Sequence, residues 1–191
     1  MNETKLDIGT YITRKEESVN KIFTELLNET PRIDFRKELK FDDNAKVKYS
    51  QMVVIVIEKL IEIAKAKGWG LCKNKEFIYI FNGVYWVPIL ANNSYTHFKQ
   101  FLGKAAAKMG VDTIKAKHYQ FQEELFKQFE NAAYLPAPER SGNETLVNLA
   151  NGTLEIRKDG SVRLRKHNSN DFLTYCLPYG YDKTATAPKY K

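Results

Sequence analysis

The chain has 191 residues, 43% of them hydrophobic and 13% aromatic, so it is long enough to bury a core and too apolar to be disordered. Its formal net charge of +7 favours an anionic partner such as nucleic acid. The N-terminus lacks the apolar stretch of a signal peptide, and the longest apolar run, Met52 to Ile57, has six residues, which is too short to span a membrane. Cys72 and Cys176 are isolated in the sequence, which favours free thiols. These features predict a soluble, cytoplasmic protein.

The first part of the chain predicts an arm. Residues Glu16 to Glu29 carry apolar side chains at helical spacing, and Thr30-Pro31 ends that helix because the residue before proline is pushed out of the helical region. Residues 32–48 are charged and without periodicity, which indicates a linker. We therefore predict an N-terminal helical arm with a charged linker over residues 1–45, and a compact domain over residues 46–191.

The next stretch is ambiguous at its start. Residues Met52 to Ile57 are rich in β-branched side chains and fit either a buried strand or a helix. The length of the pattern from Tyr49 to Lys67, followed by Gly68 as a C-terminal cap, favours a helix.

Short strands and a hairpin follow. We predict a strand over Trp69–Cys72 and a hairpin with strands Glu76–Phe81 and Val84–Leu90 around a primed Asn82-Gly83 turn. The hairpin is rich in aromatic rings, which either stack nucleic-acid bases or pack the sheet against the helices. Packing is the favoured interpretation.

Two helices are predicted next. The first runs from a capping Ser94 to Met109, and the second from Asp112 or Thr113 to about Ala132. The apolar stripe of the second helix comprises Ile114, His118, Phe121, Leu125 and Phe129.

Alternating residues from Asn148 to Arg165 predict a further hairpin, with a primed turn at Asp159-Gly160. Because neighbouring side chains in a strand point to opposite faces, one face is predicted to be a core and the other a basic strip. The predicted core residues are Leu154, Ile156, Val162 and Leu164, and the opposite face carries Glu155, Arg157, Arg163 and Arg165.

The basic strip is the candidate DNA-binding site, and its residues are Arg157, Lys158, Arg163, Arg165, Lys166 and His167. Contacts from such a strip would go to the phosphate backbone and would carry no sequence information. The alternative is that these cations only solvate an outward face and protect a sheet edge.

Four sequence words occur in a fixed order around this hairpin: Asn-Leu-Ala-Asn-Gly (148–152), Asn-Asp-Phe-Leu-Thr (170–174), Leu-Pro-Tyr-Gly-Tyr-Asp (177–182) and Ala-Thr-Ala-Pro (185–188). This order resembles the domain that precedes the superfamily III helicase in phage and plasmid primase–helicases, a domain shared with the poxvirus primase–helicase. The resemblance covers residues 149–188 well and residues 46–135 more weakly.

The resemblance implies a role in DNA replication, as an accessory domain that helps load, orient or assemble the helicase. The implied partners are DNA and the C-terminal helicase domain of the parent protein, and the resemblance allows the parent to form a homo-oligomer. It also implies that the chain, which ends at Lys191, is a fragment of a longer protein.

The residues themselves predict no catalytic site. Gly103-Lys104 lacks the leading glycine and the hydroxyl of a phosphate-binding loop, and the three histidines have no partner at metal-ligand spacing. Asp42-Asp43, the only adjacent pair of aspartates, lies in the charged linker. We therefore expect no enzyme activity, cofactor or metal in this chain. The predicted fold class is α+β, with small antiparallel β-hairpins packed on about three helices. A stand-alone nucleic-acid-binding protein and a pure protein–protein module remain as alternative functions.

Overall fold

The structure is a computed structural model that describes residues 8–40, 46–89, 91–138 and 142–185; side chains are described for residues 18–40, 46–89, 95–138 and 142–185. The Asp42-Asp43 pair, Leu90, residues 186–188 of the last sequence word and the chain end at Lys191 lie outside the described residues. The chain divides into two compact units. The first unit comprises residues 1–82 and 87–136, and the second comprises residues 83–86 and 137–191.

The predicted α+β class is confirmed, because the described residues form helices and two antiparallel sheets. The helices are α1 (Ile8–Glu29), α2 (Phe35–Glu38), α3 (Tyr49–Ala66), α4 (Ala91–Met109), α5 (Thr113–Lys117) and α6 (Tyr119–Ala132). The strands are β1 (Gly70–Asn74), β2 (Phe77–Phe81), β3 (Trp86–Ile89), β4 (Glu144–Leu149), β5 (Gly152–Arg157) and β6 (Val162–Arg165). Each sheet has three strands, in the orders β1-β2-β3 and β4-β5-β6.

The core of the first unit is built mainly by helices α1, α3, α4 and α6. Phe98 lies at its centre, fully buried, with the ring of Phe129 at 4.8 Å in an edge-to-face arrangement. Helix α1 belongs to the same core, since Leu26 is fully buried and the ring of Phe23 stacks on Phe101 at 4.3 Å. The division into an N-terminal arm with a linker over residues 1–45 and a compact domain over residues 46–191 stays a prediction.

The ambiguous stretch after Tyr49 is a helix. Helix α3 ends at Ala66, and Gly68 follows with a φ of 73°, as expected for a left-handed C-terminal residue. Within the predicted linker, Phe35 is buried and begins the short helix α2, which Asp34 caps through a hydrogen bond from the backbone N–H of Arg36.

The single helix predicted from Asp112 or Thr113 to about Ala132 is two helices, α5 and α6, so the prediction of one continuous helix is wrong. His118 has φ −66° and ψ 132°, an extended conformation that ends α5 and precedes α6. The apolar stripe is therefore interrupted: Phe121 and Leu125 are buried, whereas 81% of Ile114 is exposed and His118 is also exposed. Helix α4 also starts earlier than predicted, at Ala91, so Ser94 lies inside it rather than at its cap.

Both predicted turns differ from the structure. Gly160 has a φ of 82° while Asp159 is not in the positive-φ region, and the N–H of Gly160 donates to the carbonyl of Arg157 at 3.0 Å. This is a turn centred on Lys158-Asp159, followed by a left-handed glycine, which is the usual three-residue hairpin loop. In the first sheet the connection between β2 and β3 has four residues, 82–85, and only Gly83 among them has a positive φ.

The second sheet is a three-stranded meander rather than a single hairpin. Strands β4 and β5 pair with Val147 opposite Leu154, and β5 and β6 pair with Leu154 opposite Leu164. The sequence from Asn148 to Arg157, which the alternation predicts as one strand, turns at Ala150-Asn151.

Candidate nucleic-acid interface

The register of the second sheet confirms which side chains share a face, but not which face is buried. Glu155 pairs with Arg163 across β5 and β6, and Leu154 pairs with Leu164, as the alternation predicts. However, Glu155 is only 7% exposed, whereas Val162 is 46% exposed and Leu164 is 36% exposed. None of the four predicted core residues of this hairpin is buried, since Leu154 and Ile156 are half-buried and Val162 and Leu164 are exposed, so the prediction that this face forms a core is wrong.

The reason is that other parts of the second unit cover the part of the polar face that Asn148, Thr153 and Glu155 form, whereas Arg157 and Arg163 on that face stay exposed. Asn148 is fully buried and donates two side-chain hydrogen bonds of 2.9 Å, to the carbonyls of Val84 and Tyr175. Its side-chain oxygen accepts a hydrogen bond of 3.0 Å from the hydroxyl of Thr153, which is 1% exposed. Because hydrogen bonds satisfy these groups, a polar face is buried without the penalty of unpaired polar atoms.

Two of the predicted DNA-binding arginines have carboxylate partners. Arg165 makes a bidentate pair with Asp171, with both N···O distances at 2.8 Å, and also reaches Glu155 at 3.3 Å. Arg157 reaches the other oxygen of Glu155 at 2.5 Å, although 53% of its side chain is exposed. The structure therefore gives Arg165 a role in holding the 3-10 turn at residues 169–171 against the sheet.

These pairs also set the charge state of Glu155. The hydrogen bond from Arg157 lowers the pKa of this carboxyl below its ordinary value, and the bonds from Arg165 act in the same direction. The same ion pairs and hydrogen bonds raise the pKa of Arg165, with Asp171 making the largest contribution. Both partners are consequently charged at neutral pH.

The remaining predicted DNA-binding residues are either exposed cations or hydrogen-bonded within the second unit. Lys158, Arg163 and Lys166 are exposed, and none of them makes an ion pair with another described residue. His167 is half-buried, with its Nε2 2.9 Å from the carbonyl oxygen of Leu149. Three of the six predicted residues are thus exposed cations without an ion pair in the described part of the chain: Lys158 in the hairpin turn, Arg163 on β6 and Lys166 directly after β6.

The sequence words around the hairpin hold the second unit together. The Asn151 side chain donates to the carbonyl of Tyr181 and accepts from its N–H, each at 2.9 Å. The N–H of Leu177 donates to the carbonyl of Asn148 at 2.9 Å, so the first and third words lie side by side. Gly152 is required by close approach, because a Cβ there would lie 2.5 Å from the carbonyl oxygen of Arg165.

The aromatic rings of the first sheet are mostly packed, which agrees with the favoured interpretation. Phe81 and Trp86 are buried, whereas Phe77 is 45% exposed and lies 6.4 Å from the ring of Tyr79. The indole N–H of Trp86 donates to the carbonyl of Ser169 at 2.8 Å.

The cysteines and histidines of the described residues offer no evident site. Both thiols are free, and burial raises the pKa of Cys72 to about 12 and also raises that of Cys176. Within the described ranges no three His, Cys, Asp or Glu side chains group as metal ligands would. None of the described helices has both the length and the apolar composition of a bilayer span.

The comparison with protein families matches residues 57–191 to the family described as D5 N terminal like, the primase–helicase N-terminal-like domain. The chain belongs to this family. The match covers more than half of the chain and includes the whole of the second sheet and the four sequence words. The predicted family resemblance is thereby confirmed, and the chain is a primase–helicase-associated domain of the D5 N terminal like family. The comparisons with curated proteins and with solved structures found no match.

Proposed function

We propose that this D5 N terminal like domain is a non-catalytic accessory domain in DNA replication, which contacts the DNA backbone next to a helicase domain and assists the assembly or loading of that helicase. Membership of the family supports the connection with primase–helicases. The observation that supports DNA contact is the exposure of Lys158, Arg163 and Lys166 without carboxylate partners in the described part of the chain.

The arrangement of these cations fits backbone contact rather than base recognition. Lys158 lies in the hairpin turn, Arg163 lies on β6, and Lys166 follows that strand directly. Lysine and arginine side chains on such a hairpin neutralise phosphates, and each neutralised phosphate adds to the salt dependence of binding. Binding should therefore be independent of DNA sequence and should weaken as the salt concentration rises.

Arg165 and Arg157 have a different role in this proposal. The ion pairs of Arg165 connect β6, which carries Arg163, to Glu155 on β5 and to Asp171, and the ion pair of Arg157 with Glu155 lies within β5; both arginines are therefore engaged in the fold rather than in the interface. Replacing Arg165 would disturb both the fold and the binding, which makes it an unsuitable probe of DNA contact.

The test is fluorescence anisotropy with labelled DNA at about 50 and about 200 mM salt. The variant Arg163→Gln/Lys166→Gln should bind more weakly at the lower salt concentration and should show a shallower salt dependence. A control variant with the same change of charge, Lys65→Gln/Lys127→Gln, alters exposed helix positions in the first unit and should retain binding. Equal binding by the hairpin variant and the wild type would refute the proposed contact.

A second candidate function is a protein–protein module, and one observation favours it. The outer face of the second sheet exposes Val162 and Leu164, which lie beside the half-buried Leu154 and Ile156. Exposed apolar side chains that adjoin one another are typical of interaction surfaces. The variant Val162→Thr/Leu164→Thr should abolish self-association or helicase binding measured by light scattering, while DNA binding should be unchanged. Loss of DNA binding alone would argue against this candidate.

A further inference from the structure

We propose that the first unit carries a second nucleic-acid contact, a stacking site for single-stranded DNA or RNA at the junction of α5 and α6. Its residues are Ile114, Lys117, His118 and Tyr119, with Lys104 on the neighbouring helix; we call them the junction patch. It lies in a different unit from the basic hairpin and uses different chemistry, so it goes beyond the backbone contact proposed above.

The junction patch exposes large side chains to solvent. Ile114 is 81% exposed and Tyr119 is 67% exposed, the two highest values among the large apolar side chains of the described first unit. The ring of His118 lies 5.0 Å from that of Tyr119, tilted by 36°, so two adjacent rings face solvent. Side chains that stay in water contribute no hydrophobic stabilisation to the fold. In α6 that stabilisation comes from the buried side chains of Phe121, Leu125 and Phe129.

The break at His118 accounts for the exposure of Ile114, while Tyr119 lies on a different face of α6 from Phe121. If α5 and α6 were one continuous helix, Ile114 would lie on the same stripe as Phe121 and Leu125. Gln122 stabilises the break, since its side-chain amide donates to the carbonyls of Ala116 and Lys117 at 3.2 and 3.4 Å. The local structure therefore holds the aliphatic and aromatic side chains outward.

Charge selects an anionic ligand. Between Gly103 and Gln122 the sequence contains four lysines and a single acidic residue, Asp112. Asp112 accepts a hydrogen bond of 2.9 Å from the N–H of Lys115 at the start of α5, so its carboxylate is already engaged. The next carboxylate along α6, that of Glu123, forms an ion pair with Lys99.

Three of these four lysines bear on the patch, one as a structural cation and two as available cations. The ammonium of Lys115 lies 4.3 Å from the ring centre of Tyr49, a cation–π contact within the fold. Lys117 and Lys104 are exposed and have no ion pair with a described residue. Lys104 is adjacent to this surface because α4 and α5 touch at Gly103, where a Cβ would lie 2.5 Å from the carbonyl oxygen of Ala116.

An exposed aromatic ring on a surface that also carries cations fits a single strand better than a duplex. In a single strand the faces of the bases are available for stacking, and the phosphates lie beside them. In a duplex the base faces are stacked on one another, so Ile114 and Tyr119 would have no partner there. A protein partner would have to be acidic to match the lysines, and it is an alternative outcome of the test.

The experiment measures anisotropy with a labelled oligothymidine of about 20 nucleotides and with a duplex of the same length. Tyr119→Ala should lower the affinity for the single strand at least about fivefold, since stacking on one base contributes roughly that factor or more. Tyr119→Phe keeps the ring and should bind as the wild type does. Tyr134→Ala is the matched control, because Tyr134 is 62% exposed and lies beyond the end of α6.

A second pair of variants tests the cations. Lys117→Gln should reduce the slope of log affinity against log salt by about 0.7 for one phosphate contact with a single strand, whereas Lys127→Gln should leave the slope unchanged. Both lysines are exposed, so the variants should keep the wild-type circular dichroism and melting temperature.

The outcomes separate this proposal from the one for the hairpin. If Arg163→Gln/Lys166→Gln weakens binding and Tyr119→Ala does not, the junction patch is refuted and the hairpin contact stands. If Tyr119→Ala weakens single-strand binding and the hairpin variant does not, the junction patch stands and the hairpin contact is refuted. Equal effects of Tyr119→Ala and Tyr134→Ala, or an effect of Tyr119→Ala on self-association alone, would also overturn the junction patch.

Discussion

The buried side chain of Asn148 provides a quantitative test of how the second unit is held together. It makes three side-chain hydrogen bonds, to Val84, Tyr175 and Thr153, and is fully buried. We consider the substitution Asn148→Leu, which keeps a similar volume and removes all three bonds.

The magnitude follows from the number of bonds and from burial. A typical intramolecular hydrogen bond contributes about 1 kcal/mol net, and a buried polar group left without a partner costs about 1–3 kcal/mol. Loss of three bonds, with the hydroxyl of Thr153 then facing an aliphatic side chain, should cost about 3–5 kcal/mol. Thr153→Val keeps the shape and removes only one of the bonds, but it leaves the buried side-chain oxygen of Asn148 without that donor, so it should cost about 1–3 kcal/mol.

The assay is urea unfolding followed by tryptophan fluorescence in a Trp69→Phe background. The signal then comes from Trp86, which is 2% exposed and is bonded to Ser169 within the second unit. The control Thr145→Ala changes an exposed residue on the same strand and should leave the transition unchanged. If Asn148→Leu unfolds within 1 kcal/mol of the wild type, the buried hydrogen-bond network does not stabilise the unit as described.

Three further predictions concern the core, pH and the thiols. Phe129→Ala should lower the free energy of unfolding by about 3–5 kcal/mol, because Phe129 is fully buried. Ile114→Ala should change the free energy of unfolding by less than about 0.5 kcal/mol, because Ile114 is exposed. Similar losses for the two variants in urea unfolding would refute the break between α5 and α6. The pKa of Glu155 is lowered in the folded state, so its contribution to stability is present above the ordinary value of 4.5 and is lost as the pH falls through the folded pKa. The difference in melting temperature between the wild type and Glu155→Gln should therefore shrink on acidification. A difference that stays constant with pH would contradict this prediction. The thiol of Cys176 should react with a disulfide reagent at neutral pH faster than that of Cys72, whose pKa is raised to about 12 by burial, and equal rates in the native protein would argue against that burial.

Local sequence signals predicted most of the first unit. The helix from Tyr49 was recognisable from its length and from Gly68, and the helix before Pro31 from its periodicity. The break at His118 was not recognisable, because neither glycine nor proline marks it and the apolar spacing continues across it. The junction patch was therefore missed: its residues resemble a buried stripe when the helix is assumed to be continuous.

The candidate interface was predicted as a set of residues but not as an arrangement. Alternation identified the face shared by Arg163 and Arg165, and the register confirms it. Alternation carries no information about which arginine finds a carboxylate. Asp171 lies six residues beyond Arg165, and only the fold of the returning chain brings the two together.

The sequence by itself determined the family, the α+β class, the pairing of β5 with β6 and the excess of positive charge, because periodicity, turn residues and ordered words are local properties of the chain. The tertiary structure decided which face of the second sheet is buried. Periodicity predicts the apolar face for the core, yet residues 84–86 and 169–175 lie against the part of the polar face that holds Asn148 and Glu155, whereas Arg157 and Arg163 of that face stay exposed. A sheet face can be buried with its polar groups if each of them has a hydrogen-bond partner. Whether such partners lie within reach depends on segments that are far apart in the sequence.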